Sequence, residues 1–200
     1  MEKFAKKILK TNIVLLYLIT TVFYVTWCLI VGNLYDRYEI EYSGSVANMM
    51  TNVEFVLDEI AVPLIEELVF RWFPFMLFFS IFNLISKRSK NINRKKKFEK
   101  FGVCIIVLTS SIAFSYGHGG WPNLFLQGVL GIILCMFYLR TYYKRRILGK
   151  KCYFQIYPLL SSLLYHVFTN ELWYLVDWIY PSYSWEQSQL FLLFHLKIVL

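Results

Sequence analysis

A chain of 200 residues that is 58% hydrophobic and 20% aromatic, with 17% charged residues, departs from the roughly half-apolar, quarter-charged make-up of soluble domains and reads as a membrane protein. Its net charge of +8 would suit nucleic acid in a soluble protein. Here the basic residues gather between apolar runs, as in cytoplasmic membrane loops, which argues against a nucleic-acid partner.

Lys3, Lys6, Lys7 and Lys10 precede the first apolar run, about residues 12 to 32. That run is too long for a signal-peptide core and ends at Val31-Gly32-Asn33 without a small-residue cleavage pattern, so a retained first helix is expected. From Leu34 to Glu59 the polarity is mixed; its second half, with Val53, Phe55, Val56 and Ile60 among Glu54, Asp58 and Glu59, suits an amphipathic helix at the interface. Pro63 is expected to bend the chain where this element enters the membrane. Further spans are expected at about 60 to 86, 101 to 117, 124 to 140, 153 to 176 and 187 to 200, since a spanning helix needs about 20 largely apolar residues. The fold expected is all-α, a polytopic transmembrane bundle of about six helices forming a single membrane domain over residues 1–200.

Lys and Arg crowd the N-terminus, the Lys87–Lys100 loop and the Arg140–Lys151 loop, whereas the alternate loops, 33–52, 118–123 and 177–186, hold Arg37 alone. The positive-inside rule then puts both termini and both basic loops in the cytoplasm. The composition suits a bacterial plasma membrane, and the basic loop suits anionic lipid. Cys28, Cys104, Cys135 and Cys152 form no C-x-x-C pair and read as buried thiols rather than a disulfide framework or a zinc site.

Charged groups in hydrocarbon cost a few kcal/mol each, so those that persist usually face a cavity, pair and serve a function. Three places qualify. In Ile65-Glu66-Glu67-Leu68-Val69-Phe70-Arg71, Glu67 and Arg71 are four apart and can pair on one face, while Glu66 points about 100° away. A desolvated carboxylate of this kind can serve as a general base; a structural ion pair is the alternative. In Phe114-Ser115-Tyr116-Gly117-His118, before the turn Gly119-Gly120-Trp121-Pro122-Asn123, Phe114 should pack beneath the histidine ring; an interfacial side chain is the alternative. In His166-Val167-Phe168-Thr169-Asn170, the imidazole and carboxamide share a face and could equally bond neighbouring helices. His195 is read as structural. Taken together, these are the parts of an amide hydrolase. Glu66, helped by His118, would deprotonate a water that attacks a peptide carbonyl, and His166 and Asn170 would donate to the oxyanion.

The series E-E-x-x-x-R, F-x-x-x-H and H-x-x-x-N/D, standing as Glu66-Glu67…Arg71, Phe114…His118 and His166…Asn170, resembles the CAAX protease and bacteriocin-processing (Abi) family and is similar to type II CAAX prenyl endopeptidases. Trp121-Pro122-Asn123 leading into Phe125, Gln127, Gly128 and Gly131 adds to the likeness, which covers about residues 55–175, the expected catalytic core. Ser115, Tyr116 and Gly117 are smaller or more polar than the aliphatic residues usual in that motif. The resemblance implies an all-helical intramembrane endopeptidase acting on a membrane-associated peptide or lipidated protein. Glu66 and His118 would activate water, His166 and Asn170 would form the oxyanion site, and Glu67 and Arg71 would support them. Metal dependence is often attributed to the family, and Glu66, His118 and His166 would make a two-histidine, one-carboxylate zinc set; the absence of H-E-x-x-H favours a glutamate-activated water. A non-catalytic bacteriocin immunity or scaffold protein is the alternative role, and a proton-coupled transporter a third.

Overall fold

In hydrocarbon the backbone has no water to bond, so a chain of this composition must satisfy its N–H and C=O groups within each segment, as helices do. The structure, a computed structural model, describes residues 9, 11–38, 40, 60–88, 91–149 and 155–179, with the backbone alone for 36, 87, 88 and 173–179. Its elements in chain order are α1 (Ile13–Arg37), α2 (Val62–Glu67), a π-helical turn (Leu68–Trp72), α3 (Phe73–Arg88), α4 (Ile92–Gly117), a 3₁₀ turn (Trp121–Leu124), α5 (Gln127–Ile147) and α6 (Ile156–Ile179). Four stretches are long and apolar enough to cross a membrane: Ile13–Tyr35, Val62–Ser86, Ile92–Gly117 and Trp121–Ile147. The protein is thus an all-α membrane bundle. The expected sixth span at 187–200, the interfacial helix before Ile60, Cys152 and His195 lie outside the described residues.

Two expectations need correction. The basic stretch from Lys87 to Lys100 is not a loop across its length, because α4 begins at Ile92, where the Asn91 side chain accepts the Arg94 N–H at 3.1 Å as an N-cap. Likewise α5 runs on through Arg145 and Arg146 to Ile147. Lys, Arg and Glu are good helix formers, so both helices continue past their apolar spans as basic turns.

α5 is the central helix, packed against α4 on one side and α6 on the other. Its buried residues Leu130, Ile133, Leu134 and Phe137 meet the inner face of α1, where Leu16, Tyr24, Cys28, Val31 and Tyr35 recur at helical spacing. The opposite face of α1, including Leu15, Leu18, Val22 and Phe23, is exposed and suits lipid. On the other side of α5, Phe75 and Phe79 of α3 stack on Tyr138 and Tyr142, with ring centroids 5.0 and 4.0 Å apart. Cys28 and Cys135 are buried, whereas Cys104 is exposed on α4, and all three are free thiols.

One of the residues that set Phe114–His118 apart from the aliphatic pattern, Ser115, has a packing cause. Ser111 and Ser115 of α4 face Gly131 and Gly128 of α5, and a Cβ added to Gly131 would stand 3.1 Å from the Ser111 Cα. Small residues on both helices let the backbones come together, the usual device where no hydrophobic effect drives helices together. The π turn has a neighbour of its own: Ser110 Oγ donates to the Phe70 carbonyl, while Phe73 N–H reaches back to the Leu68 carbonyl. Such widened turns are frequent at functional sites.

Candidate active site

The site is built at the end of α2, the end of α4 and the middle of α6. Adjacent positions in a helix diverge by about 100°, and Glu66 and Glu67 accordingly enter different surroundings. Glu67 and Arg71 are both fully buried, with Arg71 Nη1 3.2 Å from Glu67 Oε1. The guanidinium carbon also lies 4.2 Å from the centre of the Phe114 ring, a cation–π contact in a water-free setting. The same Glu67 oxygen lies 3.0 Å from His166 Nδ1. A carboxylate paired with Arg71 can only accept, so Nδ1 of His166 carries a proton and donates it. Glu67 Oε2 has no hydrogen-bond partner among the described residues.

Glu66 stands one position away, 18% exposed, and is shared by both histidines. Its Oε1 is 3.2 Å from His118 Nε2 and its Oε2 is 3.5 Å from His166 Nε2. His118 is 29% exposed and His166 only 4%, so the cluster grades from an accessible edge at Glu66 and His118 to a buried floor at Glu67 and Arg71. His118 closes α4, and its Nδ1 donates to the Phe114 carbonyl at 2.7 Å. Burial opposes charge on this imidazole, but the Glu66 hydrogen bond and the Phe114 carbonyl outweigh it and raise its pKa above the ordinary histidine value. The expected packing of Phe114 beneath His118 is present, with ring centroids 4.3 Å apart.

Five of the six residues singled out in the sequence therefore meet in one cluster: Glu66, Glu67, Arg71, His118 and His166. Asn170 lies one turn beyond His166 on α6, half-buried, and has no bond to the cluster among the described residues. Phe114 does more than its motif suggested, for its ring meets His166 edge-on at 5.7 Å as well as His118 and Arg71. Asn123 also went unrecognised as a site residue; its Nδ2 donates to the His118 carbonyl. Its place five residues past the histidine, inside a Trp-Pro-Asn turn, was the available signal.

The three residues of the expected zinc set, Glu66, His118 and His166, meet directly, carboxylate to imidazole. Each Nε2 faces a separate oxygen of Glu66. Both Nδ1 atoms are engaged by the Phe114 carbonyl and Glu67. Among the described residues no three His, Cys, Asp or Glu side chains are placed to hold a metal ion. What the arrangement can do is hold a partly accessible carboxylate between two imidazoles, beside a buried, charge-paired glutamate.

The comparisons bear on the same stretch. No curated protein and no solved structure matches the chain. A family model described as type II CAAX prenyl endopeptidase Rce1-like matches residues 48–172, more than half of the sequence and inclusive of all six motif residues. The chain belongs to the type II CAAX prenyl endopeptidase Rce1-like family.

Proposed function

We propose that the protein is an intramembrane endopeptidase that cleaves a membrane-associated peptide or lipidated protein near a terminus, using water activated by Glu66 and His118. The observation that carries this reading is the sharing of Glu66 between His118 Nε2 at 3.2 Å and His166 Nε2 at 3.5 Å, at the accessible edge of the cluster. Glu66 takes a proton from water as its oxygen attacks the peptide carbonyl carbon. His166 acts as the imidazolium, its Nδ1–H held by Glu67 and its Nε2–H, on the Glu66 side, donating to the oxyanion that forms together with Asn170 one turn away. Collapse of the tetrahedral species breaks the C–N bond, and the proton held between Glu66 and His118 passes to the leaving amine. Glu67 and Arg71 orient His166 rather than touch the substrate.

The same reading carries an orientation. Arg94, Lys96, Lys97 and Lys100 are exposed on the first turns of α4, and His118 is at its other end. With the basic turns cytoplasmic, the site opens in the outer half of a plasma membrane and the termini are cytoplasmic. On a background with the native cysteines replaced, an impermeant thiol reagent applied to whole cells should label Trp121→Cys and spare Lys97→Cys; the reverse pattern overturns the orientation.

The deciding experiment is cleavage of membrane-associated peptides by the purified protein in liposomes, comparing wild type with Glu66→Ala and His166→Ala, each with and without a chelator. Both substitutions should abolish cleavage and the chelator should leave the wild type unchanged. Cleavage indifferent to both substitutions refutes the site. Chelator-sensitive cleavage refutes the metal-free mechanism. Absence of cleavage, with a bacteriocin-protection phenotype intact in both variants, supports the non-catalytic immunity role instead.

A further inference from the structure

α1 precedes the family-matched stretch of residues 48–172, and its lipid-compatible outer face would suit a helix that merely crosses the membrane. Its inner face does something more specific. Trp27 and Tyr35 are two turns apart on one side of α1, and both send a polar hydrogen to the short segment that follows His118. Tyr35 OH donates to the Pro122 carbonyl and Trp27 Nε1–H to the Phe125 carbonyl. Within that segment Asn123 Nδ2 donates to the carbonyl of His118 itself. Between the histidine and Trp121 stand only Gly119 and Gly120, with φ of 122° and 84°, conformations that residues with a Cβ rarely adopt. Two glycines make a conformationally permissive link at the point where the histidine must be held, and the donors on α1 fasten the far side of that link.

We infer that α1 is a working part of the site, with Tyr35 and Trp27 acting as positioning residues that hold the Gly119–Phe125 segment, through Asn123, so that His118 meets Glu66. This rests on His118 acting as proposed above. A shift of about 1 Å in a catalytic group can lower turnover by about a hundredfold, so tethers of this kind act on turnover rather than on substrate binding. Tyr35 is buried and packed against the core; Tyr35→Phe keeps the ring and removes the hydroxyl. Trp27→Phe likewise keeps an aromatic ring without the indole N–H.

The test uses the full-length protein, labelled with ¹³C,¹⁵N-histidine, in detergent micelles. The sequence has three histidines, so ring resonances can be assigned by single substitution. The double variant Tyr35→Phe/Trp27→Phe should shift the His118 ring resonances, leave those of His166 in place, and lower kcat by about a hundredfold with KM within about twofold. Tyr17→Phe removes a different α1 bond, the hydroxyl to the Ser161 carbonyl of α6 at 2.7 Å, and should leave the His118 resonances where they are. Unshifted His118 resonances in the double variant overturn the inference, whether kcat falls or not, since a fall alone means that α1 supports only the fold. Should the double variant lose its native spectrum, the single Tyr35→Phe carries the same comparison, with about a tenfold effect on kcat. If instead His118→Ala retains full cleavage while the double variant still shifts His118, the catalytic assignment fails and the positioning by α1 stands.

Discussion

Among the described residues the bundle holds two Glu–Arg pairs, at its two ends, and they have opposite physical meanings. Glu99 of α4 and Arg146 of α5 pair among the basic turns, with side chains 15% and 46% exposed, and Tyr143 OH adds a hydrogen bond to the same glutamate oxygen at 3.2 Å. Glu67 and Arg71 pair at 0% exposure for both, beneath Phe114 and against His166. Water screens the first pair and competes for it, so its net worth is small. Nothing replaces a lost partner in the second, so its worth lies in what each charge would suffer alone. Identical chemistry is therefore a surface fastening at one end and a fixed electrostatic platform at the other.

The sharpest way to break this contrast is Arg71→Leu, which takes the guanidinium from the buried Glu67 carboxylate and leaves it paired with His166. It should lower stability by about 3–5 kcal/mol, read as denaturation in detergent, whereas Glu67→Leu/Arg71→Leu should recover much of that loss while still abolishing cleavage. An Arg71→Leu protein as stable as wild type would mean that the pair is wetter than its burial indicates. Gly131→Ala comes next, because a Cβ there meets the Ser111 backbone at 3.1 Å; it should cost about 1–3 kcal/mol, and Gly128→Ala, whose nearest neighbour is a side-chain atom at 3.4 Å, should cost less. Between the extremes lies the Glu66–His118 pair. Its histidine pKa is raised on folding, so its contribution is complete below the unfolded value of about 6.5 and is lost as pH rises through the higher folded value. Thermal unfolding followed upward from about pH 6 should show this decline, and Glu66→Gln should flatten it; a wild-type profile no steeper than that of Glu66→Gln would deny the pair its charge. Smallest of all, Glu99→Gln should change stability by less than about 1 kcal/mol and leave cleavage untouched.

Much of this was readable in advance where local spacing decides. The four-residue step from Glu67 to Arg71 foretold their pairing, and the step from Phe114 to His118 foretold the ring contact, because both are helix-surface geometry. The same logic placed Asn170 on the His166 face, yet sharing a face does not guarantee a bond. That Glu66 would be divided between two imidazoles from distant helices was not legible, since it depends on how α4 and α6 approach α2. The close approach of α4 to α5 was written in Ser111, Ser115, Gly128 and Gly131, of which Ser115 looked instead like a departure from a motif and the two glycines only like part of the family likeness. Hydropathy set the helix ends short at Phe101 and Arg140 because it marks where lipid ends, and a helix made of Lys, Arg and Glu can continue into water.

The widened turn at Leu68–Trp72 has a consequence for how much change this segment can absorb. Pro63, Glu67, Arg71, Phe75 and Phe79 are all buried, four residues apart each time, whereas a regular helix repeats every 3.6 residues and would let such a row drift by about 40° per step. A π turn takes more residues per revolution and so corrects the phase, keeping the ionic half of the row and the aromatic half on one side. Winding the same residues Leu68–Trp72 as a regular α-helix would swing Phe75 and Phe79 away from Pro63 and Glu67 by roughly a quarter-turn, so the winding of this turn is as constrained as the identity of its residues.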